Sequence, residues 1–454
     1  MRNSVVLPAP FGPTRPIFSP RLSAAEASKK RMRWLVCLVM VSRRIMGDRD
    51  PGRCLTPYAT GGAARQSPYL VAKAIVPDYA LDASSIAFRT SADIDIRYKN
   101  ARSVPPEVTM PKLGLTAFLL AAFSISTAQA ADTIGFKEAA LPDVGGDRPL
   151  HVSIWYPTND VAPIGEVGEN RVFVGLPAIR DAKPVGDAHP LVVLSHGYWG
   201  SWRNLNWLAG ELAHRGYVVA APDHPGTTTF DKSPAQAARL WERPHDLGRV
   251  IDALTKDPGL AGTIIADRIA AIGHSLGGWT VVSLGGARFS SDQFDNDCKA
   301  RPNPRTCGLG PGLGIEPGQH GRLEGDLRDA RVAAIVSLDV GLARGFTPES
   351  LATFPVPALI IGAGVDIGDL PAKLESGYLA AHLPKATARY VEIPDAMHFS
   401  FMQLCKPGAV ELIEQDSPGE GIVCKDGETR DRQAIHQQLV EMITAFLAQA
   451  IPAK

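Results

Sequence analysis

Beyond residue 130 the chain alternates two hydrophobic rhythms. Short apolar runs at His151–Tyr156, Leu191–Leu194, Tyr217–Ala221, Arg268–Ile272, Val332–Leu338, Ala358–Ile361 and Arg389–Ile393 predict strands. Between them, Trp202–His214, Arg249–Thr255, Leu276–Leu284, Pro371–Leu383 and Arg432–Ala448 repeat apolar residues every three or four positions, which predicts helices. Strand–helix alternation of this kind predicts a mostly parallel central sheet with helices on both faces. Residues 287–331 break the rhythm. They are rich in Gly, Asp and Pro and predict an irregular excursion over the sheet's edge.

The first 109 residues follow neither rhythm. Prolines at 8, 10, 13, 16 and 20 break any early helix, and the apolar stretch Trp34–Val41 is far too short to span a bilayer. At Met110 the text changes. Lys112 supplies a positive start, Leu113–Ile125 a short apolar run, and Ala128-Gln129-Ala130 the small residues of a cleavage site. That order is the signature of a secretory signal peptide over 110–130. A signal peptide is read at a chain's start, so residues 1–109 are expected to be a spurious or disordered extension. The expected catalytic domain is then 131–454, secreted or periplasmic.

Charge supports this division. Residues 1–109 hold 17 Lys and Arg against 8 Asp and Glu, whereas residues 131–454 hold 29 against 39. The whole chain balances to zero with a pI near 7.2, which excludes a polybasic nucleic-acid binder. No run of about 20 apolar residues exists, so no stable membrane span is expected after cleavage. The four cysteines past residue 130 are expected to pair as Cys298–Cys307 and Cys405–Cys424, each closing a short loop-rich segment. No spacing typical of a zinc site is present, and no metal is expected.

The chemistry centres on Gly273-His274-Ser275-Leu276-Gly277, a G-x-S-x-G run that follows the strand Arg268–Ile272 and opens a helix. This is the strand–turn–helix context of a nucleophile elbow, which makes Ser275 the expected nucleophile of an α/β-hydrolase fold. A serine needs a base. In this fold the acid and then the histidine follow the serine in sequence. His398, just past the last strand, is the expected base; His320, His382 and His436 fit worse. Asp366, after Ala358–Ile361, is the expected acid, with Asp339, after Val332–Leu338, as the runner-up. The oxyanion hole is expected from the N–H groups of Leu276 and Tyr198, the latter in Ser195-His196-Gly197-Tyr198-Trp199-Gly200. Tyr198 and Trp199 are expected substrate contacts, while His196 and His274 are read as structural. Two glycine-rich stretches, Gly308–Gly314 and Gly362–Gly368, lack the spacing of a nucleotide-binding loop.

The Gly273–Gly278 elbow, the Ser195–Gly197 turn, Leu338-Asp339 and His398-Phe399-Ser400-Phe401 followed by Cys405 together resemble bacterial dienelactone-hydrolase-like α/β-hydrolases, relatives of platelet-activating-factor acetylhydrolases. The resemblance covers roughly residues 134–450. It implies a serine esterase that needs no metal or cofactor, acting on small-molecule or lipid esters through an acyl-serine intermediate. Ser275 stands where true dienelactone hydrolases carry cysteine, which argues against that specific activity. In the acetylhydrolases the acid follows the earlier strand, which keeps Asp339 in play. Acyl transfer or peptidase activity on the same triad, or a non-catalytic binding module of this fold, are the alternatives.

Overall fold

A computed structural model describes residues 133–453 apart from 145, 304, 319–320, 368–370 and 428. The expectations for residues 1–109, for the signal peptide at 110–130 and for His320 lie outside the described residues. The described chain builds a ten-stranded sheet from β1 (Thr133–Leu141), β2 (Leu150–Thr158), β3 (Gly165–Val167), β4 (Leu176–Arg180), β5 (Ala188–Ser195), β6 (Val218–Asp223), β7 (Thr263–His274), β8 (Val332–Leu338), β9 (Ala358–Val365) and β10 (Ala388–Met397). Their order across the sheet is β10-β9-β8-β7-β5-β6-β2-β1-β4-β3. From β6 through β5, β7, β8 and β9 to β10 every pairing is parallel. The antiparallel pairs β1–β2 and β2–β6 carry the sheet outward on the other side.

Alternation along β5 shows how the two faces are filled. Leu191 and Val193 enter one core layer, Val192 and Leu194 the other, and all four are buried. On one face lie α1 (Asn206–His214) and the terminal helix α7 (Arg432–Ala450), which contributes Ile435, Leu439, Ile443 and Leu447. On the other face lie α2 (Glu242–Lys256) and α3 (Leu276–Gly285), with Leu247, Val250, Ile251 and Trp279 among the buried side chains. Full coverage on both faces is why the central strands read as unbroken apolar runs.

The excursion at 287–331 is more ordered than its sequence suggests. It contains α4 (Ser291–Ala300), whose N-terminus is capped by the Ser290 side chain accepting from the Gln293 N–H. Short 3-10 turns follow at Cys307–Leu309, Pro311–Leu313 and Arg322–Glu324. Both expected disulfides are present, Cys298–Cys307 and Cys405–Cys424. The second one ties α6 (Ala409–Asp416) into a compact arm. With its cysteines separated by 19 positions in sequence, replacing Cys405 and Cys424 together by Ser is expected to cost about 3 kcal/mol through loop entropy. A urea midpoint unchanged by that double substitution would contradict the estimate.

Candidate active site

The elbow is built by steric necessity. Ser275 holds a left-handed backbone at φ 58°, between the end of β7 and the start of α3. A Cβ on Gly273 would sit 1.9 Å from the Gly277 carbonyl oxygen, and one on Gly277 would sit 1.9 Å from that of Ser195. Any side chain at either glycine would push strand and helix apart. The neighbours His274 and Leu276 are buried while Ser275 keeps partial exposure, so the turn presents one hydroxyl. The N-terminus of α3 lies directly behind it and favours developing negative charge.

Ser275 lines a cavity of about 390 Å³ that is also lined by His398, Tyr198, Trp199 and Leu276. The remaining wall is mainly apolar. Leu309 follows the Cys298–Cys307 loop, and Ile413 and Val423 come from the arm closed by Cys405–Cys424. Each disulfide therefore ties down one side of the cavity, and each tied loop also brings one charged residue to its lining, Arg305 and Glu420 respectively.

The carboxylate that meets the histidine is Asp339, not Asp366. His398 Nδ1 and Asp339 Oδ2 are 2.6 Å apart, and both side chains are buried. Asp339 is itself strained at φ 41° and held on two sides. Its N–H donates to the Ile361 carbonyl and its Oδ1 accepts from the Ala363 N–H at 2.9 Å. Asp366 is placed differently from the expectation because β9 does not stop at Ile361. It runs on through Gly362-Ala363-Gly364 to Val365, where it pairs with Met397. That extension carries Asp366 to an exposed position past the strand end. The glycine-rich run thereby supplies an N–H to Asp339.

The other histidines fall into place around this pair. His274 Nε2 donates to the His398 carbonyl at 2.8 Å and so fixes the backbone of His398. His196 Nε2 accepts from the His224 N–H, so its Nδ1 carries the proton and donates to the Gly197 carbonyl. Both rings are structural, as read from the sequence. His382 sits in α5 (Ser376–His382) bonded to Tyr378, and His436 lies buried in α7. Of the three neighbouring tryptophans, Trp199 lines the cavity; Trp202 packs against Trp155 and Phe136, and Trp207 stacks on His436. The N–H groups of Tyr198 and Leu276 have no backbone acceptor among the described residues. Gly197 lets this loop approach, since a Cβ there would stand 3.1 Å from Ser275 Cβ.

Sequence order excluded one further constellation from notice. Ser195 Oγ lies 3.0 Å from His224 Nε2, and His224 Nδ1 lies 2.9 Å from Asp246 Oδ2. The connectivity is that of a catalytic triad, but all three residues are fully buried. Arg243 Nη2 also donates to Ser195 Oγ at 3.1 Å, and Arg148 clamps Asp246 through Nε and Nη2. No substrate carbonyl reaches a hydroxyl so enclosed. The motif Asp223-His224-Pro225-Gly226 at the end of β6 was the available signal, but a histidine upstream of the elbow is out of order for a base.

Burial keeps four histidines neutral. It drives His196, His224 and His274 well below the usual imidazole value, and His436 down to about 3. The unfolded chain protonates these rings near pH 6.5, while the folded one does not. Their stabilisation is therefore complete above 6.5 and is lost as pH falls below it. Burial raises Glu375 to about 7 and also raises Asp246, which partly offsets the effect. The thermal midpoint is expected to drop by several degrees between pH 6.5 and 5; a flat midpoint over that interval would contradict this sign.

Residues 192–410 match the alpha/beta hydrolase family. The structure is similar to that of a ferulic acid esterase from Streptomyces cinnamoneus, with a TM-score of 0.50 over 72% of this chain and 93% of that one. The chain carries the α/β-hydrolase fold. At 22% identity that structural likeness speaks for the fold alone. A 99-residue stretch is 31% identical to a cutinase, est2, of Thermobifida alba and 30% identical to the cutinase cut1 of Thermobifida fusca. It takes in 21% of this chain, and the chain spans only about 30% of the length of those cutinases. Among the described residues no group of three or more His, Cys, Asp or Glu is placed to hold a metal ion. No described helix is long and apolar enough to cross a membrane.

Proposed function

We propose that this protein is a serine carboxylic-ester hydrolase with the triad Ser275, His398 and Asp339. The observation that carries the reading is the 2.6 Å His398–Asp339 contact in the wall of the cavity that the strained Ser275 elbow also lines. With Asp339 holding the Nδ1 proton, His398 Nε2 is the basic nitrogen. It takes the Ser275 proton as Oγ attacks the ester carbon, then gives it to the departing alcohol. The N–H groups of Leu276 and Tyr198 stabilise the oxyanion. Water, deprotonated by the same imidazole, releases the acid and frees Ser275.

The mainly apolar lining favours esters with a compact apolar or aromatic acyl part. The cutinase likeness supports ester chemistry in general. An acid after β8 agrees with the resemblance to the acetylhydrolases, and lipid-like esters belong to the proposed range. The two disulfides support export, with cleavage after Ala130. The test is a panel of p-nitrophenyl esters of rising acyl length beside an oxidised phospholipid. Turnover that peaks at a short or aromatic acyl group supports the reading, and no turnover of any ester overturns it.

A further inference from the structure

We propose that the sealed Ser195–His224–Asp246 chain and Arg243 form a positioning unit for the oxyanion hole and make or break no bond with substrate. The inference rests on Ser275 being the nucleophile. Its far ends are anchored, with Arg243 Nε on Thr280 Oγ1 and Asp246 on Arg148, and its other bonds reach the loop that carries Tyr198 from both sides. Arg243 Nη2 donates to both Ser195 Oγ and the His196 carbonyl. The His224 N–H fixes the His196 ring, whose Nδ1–H holds the Gly197 carbonyl at 2.7 Å. On the far side of Tyr198, the Trp199 N–H is held by the Thr227 carbonyl at 2.7 Å, and Arg243 Nη1 holds Thr227 Oγ1 at 2.6 Å. The residues before and after Tyr198 are thus both pinned to one guanidinium. Trp199 is kept at φ 55°, a conformation that costs energy and persists only where its surroundings impose it. Between the two clamps the Tyr198 N–H has no backbone acceptor among the described residues.

The triad-like hydrogen bonds follow from satisfaction, not reactivity. Neutral His224 donates from Nδ1 to Asp246 and accepts at Nε2 the proton of Ser195, whose oxygen then accepts from Arg243. The Ser195 and His224 side chains each donate once and accept once, while Asp246 only accepts, from His224 and Arg148, and Arg243 only donates, which makes a rigid support in a low-dielectric interior. A preorganised donor matters in the transition state more than in the bound ester, so loosening it is expected to lower kcat and leave KM nearly unchanged.

The test uses Ser195→Ala and Thr227→Val, assayed well below their thermal midpoints. Ser195→Ala is expected to lower kcat about 10- to 100-fold, below the full loss of an oxyanion donor. KM is expected to move less than about twofold, the pattern of a contact that matters only in the transition state. Affinity for a trifluoromethyl ketone, whose Ser275 adduct carries an oxyanion, should fall by the same factor as kcat. Thr227→Val cuts the second clamp and should show the same pattern with a smaller factor, even if Ser195→Ala folds poorly. Unchanged kcat in the folded variants, or a loss confined to KM, overturns the inference. A fluorophosphonate probe separates the two levels. Adducts on Ser275 in wild type and both variants keep the catalytic assignment intact whatever the kinetics, whereas an adduct on Ser195 overturns both.

Discussion

Ser275→Ala is expected to lower ester turnover by about six orders of magnitude, toward the background of the oxyanion hole alone, by analogy with nucleophile removal in a serine protease. The loss is chemical. Without Oγ no acyl intermediate forms, and His398 has no proton to take. The fold is expected to survive, because the conformation at φ 58° is imposed by the Ser275 N–H bonded to the Leu338 carbonyl and by the tight glycines on either side. Alanine bears the same left-handed strain as serine. Steady-state turnover and the thermal midpoint measured on one preparation check both halves. More than 1% of wild-type turnover in a well-folded variant would remove Ser275 from the nucleophile's role.

Asp339→Asn carries the second large effect, a fall of about four orders of magnitude in kcat, the size seen for the equivalent change in a serine protease. The local hydrogen bonds fix the outcome. The Ala363 N–H points at Oδ1, so an asparagine turns its carbonyl oxygen there and its amide NH2 toward His398 Nδ1. The ring then carries its proton on Nε2 and cannot accept one from Ser275. Asp366→Asn, at an exposed position beyond β9, is expected to stay within about twofold of wild type, as surface changes generally do. Parallel kcat measurements at matched stability decide the matter. If Asp366→Asn is crippled and Asp339→Asn is not, the acid has been misassigned.

The elbow was legible because its demands are local. A strand, two obligatory glycines and a helix are contiguous in sequence, and β8 begins and ends where its apolar run does. The disulfide partners were legible for the same reason, since each pair closes a short loop. The acid was not, because its identity depends on how far β9 runs beside β10 and on a left-handed turn at Asp339. Neither leaves a mark in hydrophobic periodicity. Strands β1, β3 and β4 were missed. β1 and β4 mix two or three adjacent buried positions with partly or fully exposed ones, weaker signals than the buried central runs, and β3 is only three residues long. The helix α4 was hidden by charged and polar residues on an excursion whose role is to wall a cavity. The Ser195–His224–Asp246 chain joins three separate elements and becomes visible only when β5, β6 and α2 lie side by side.

Two serines in this fold each contact or border a histidine–aspartate pair, and the location of the acyl group tells them apart. Wild-type protein mixed rapidly with a p-nitrophenyl ester and quenched in acid should carry one acyl group, and peptide mass mapping should place it on Ser275. That adduct should vanish in Ser275→Ala and persist in Ser195→Ala. An acyl group on Ser195, or an adduct that survives in Ser275→Ala, would contradict the triad of Ser275, His398 and Asp339.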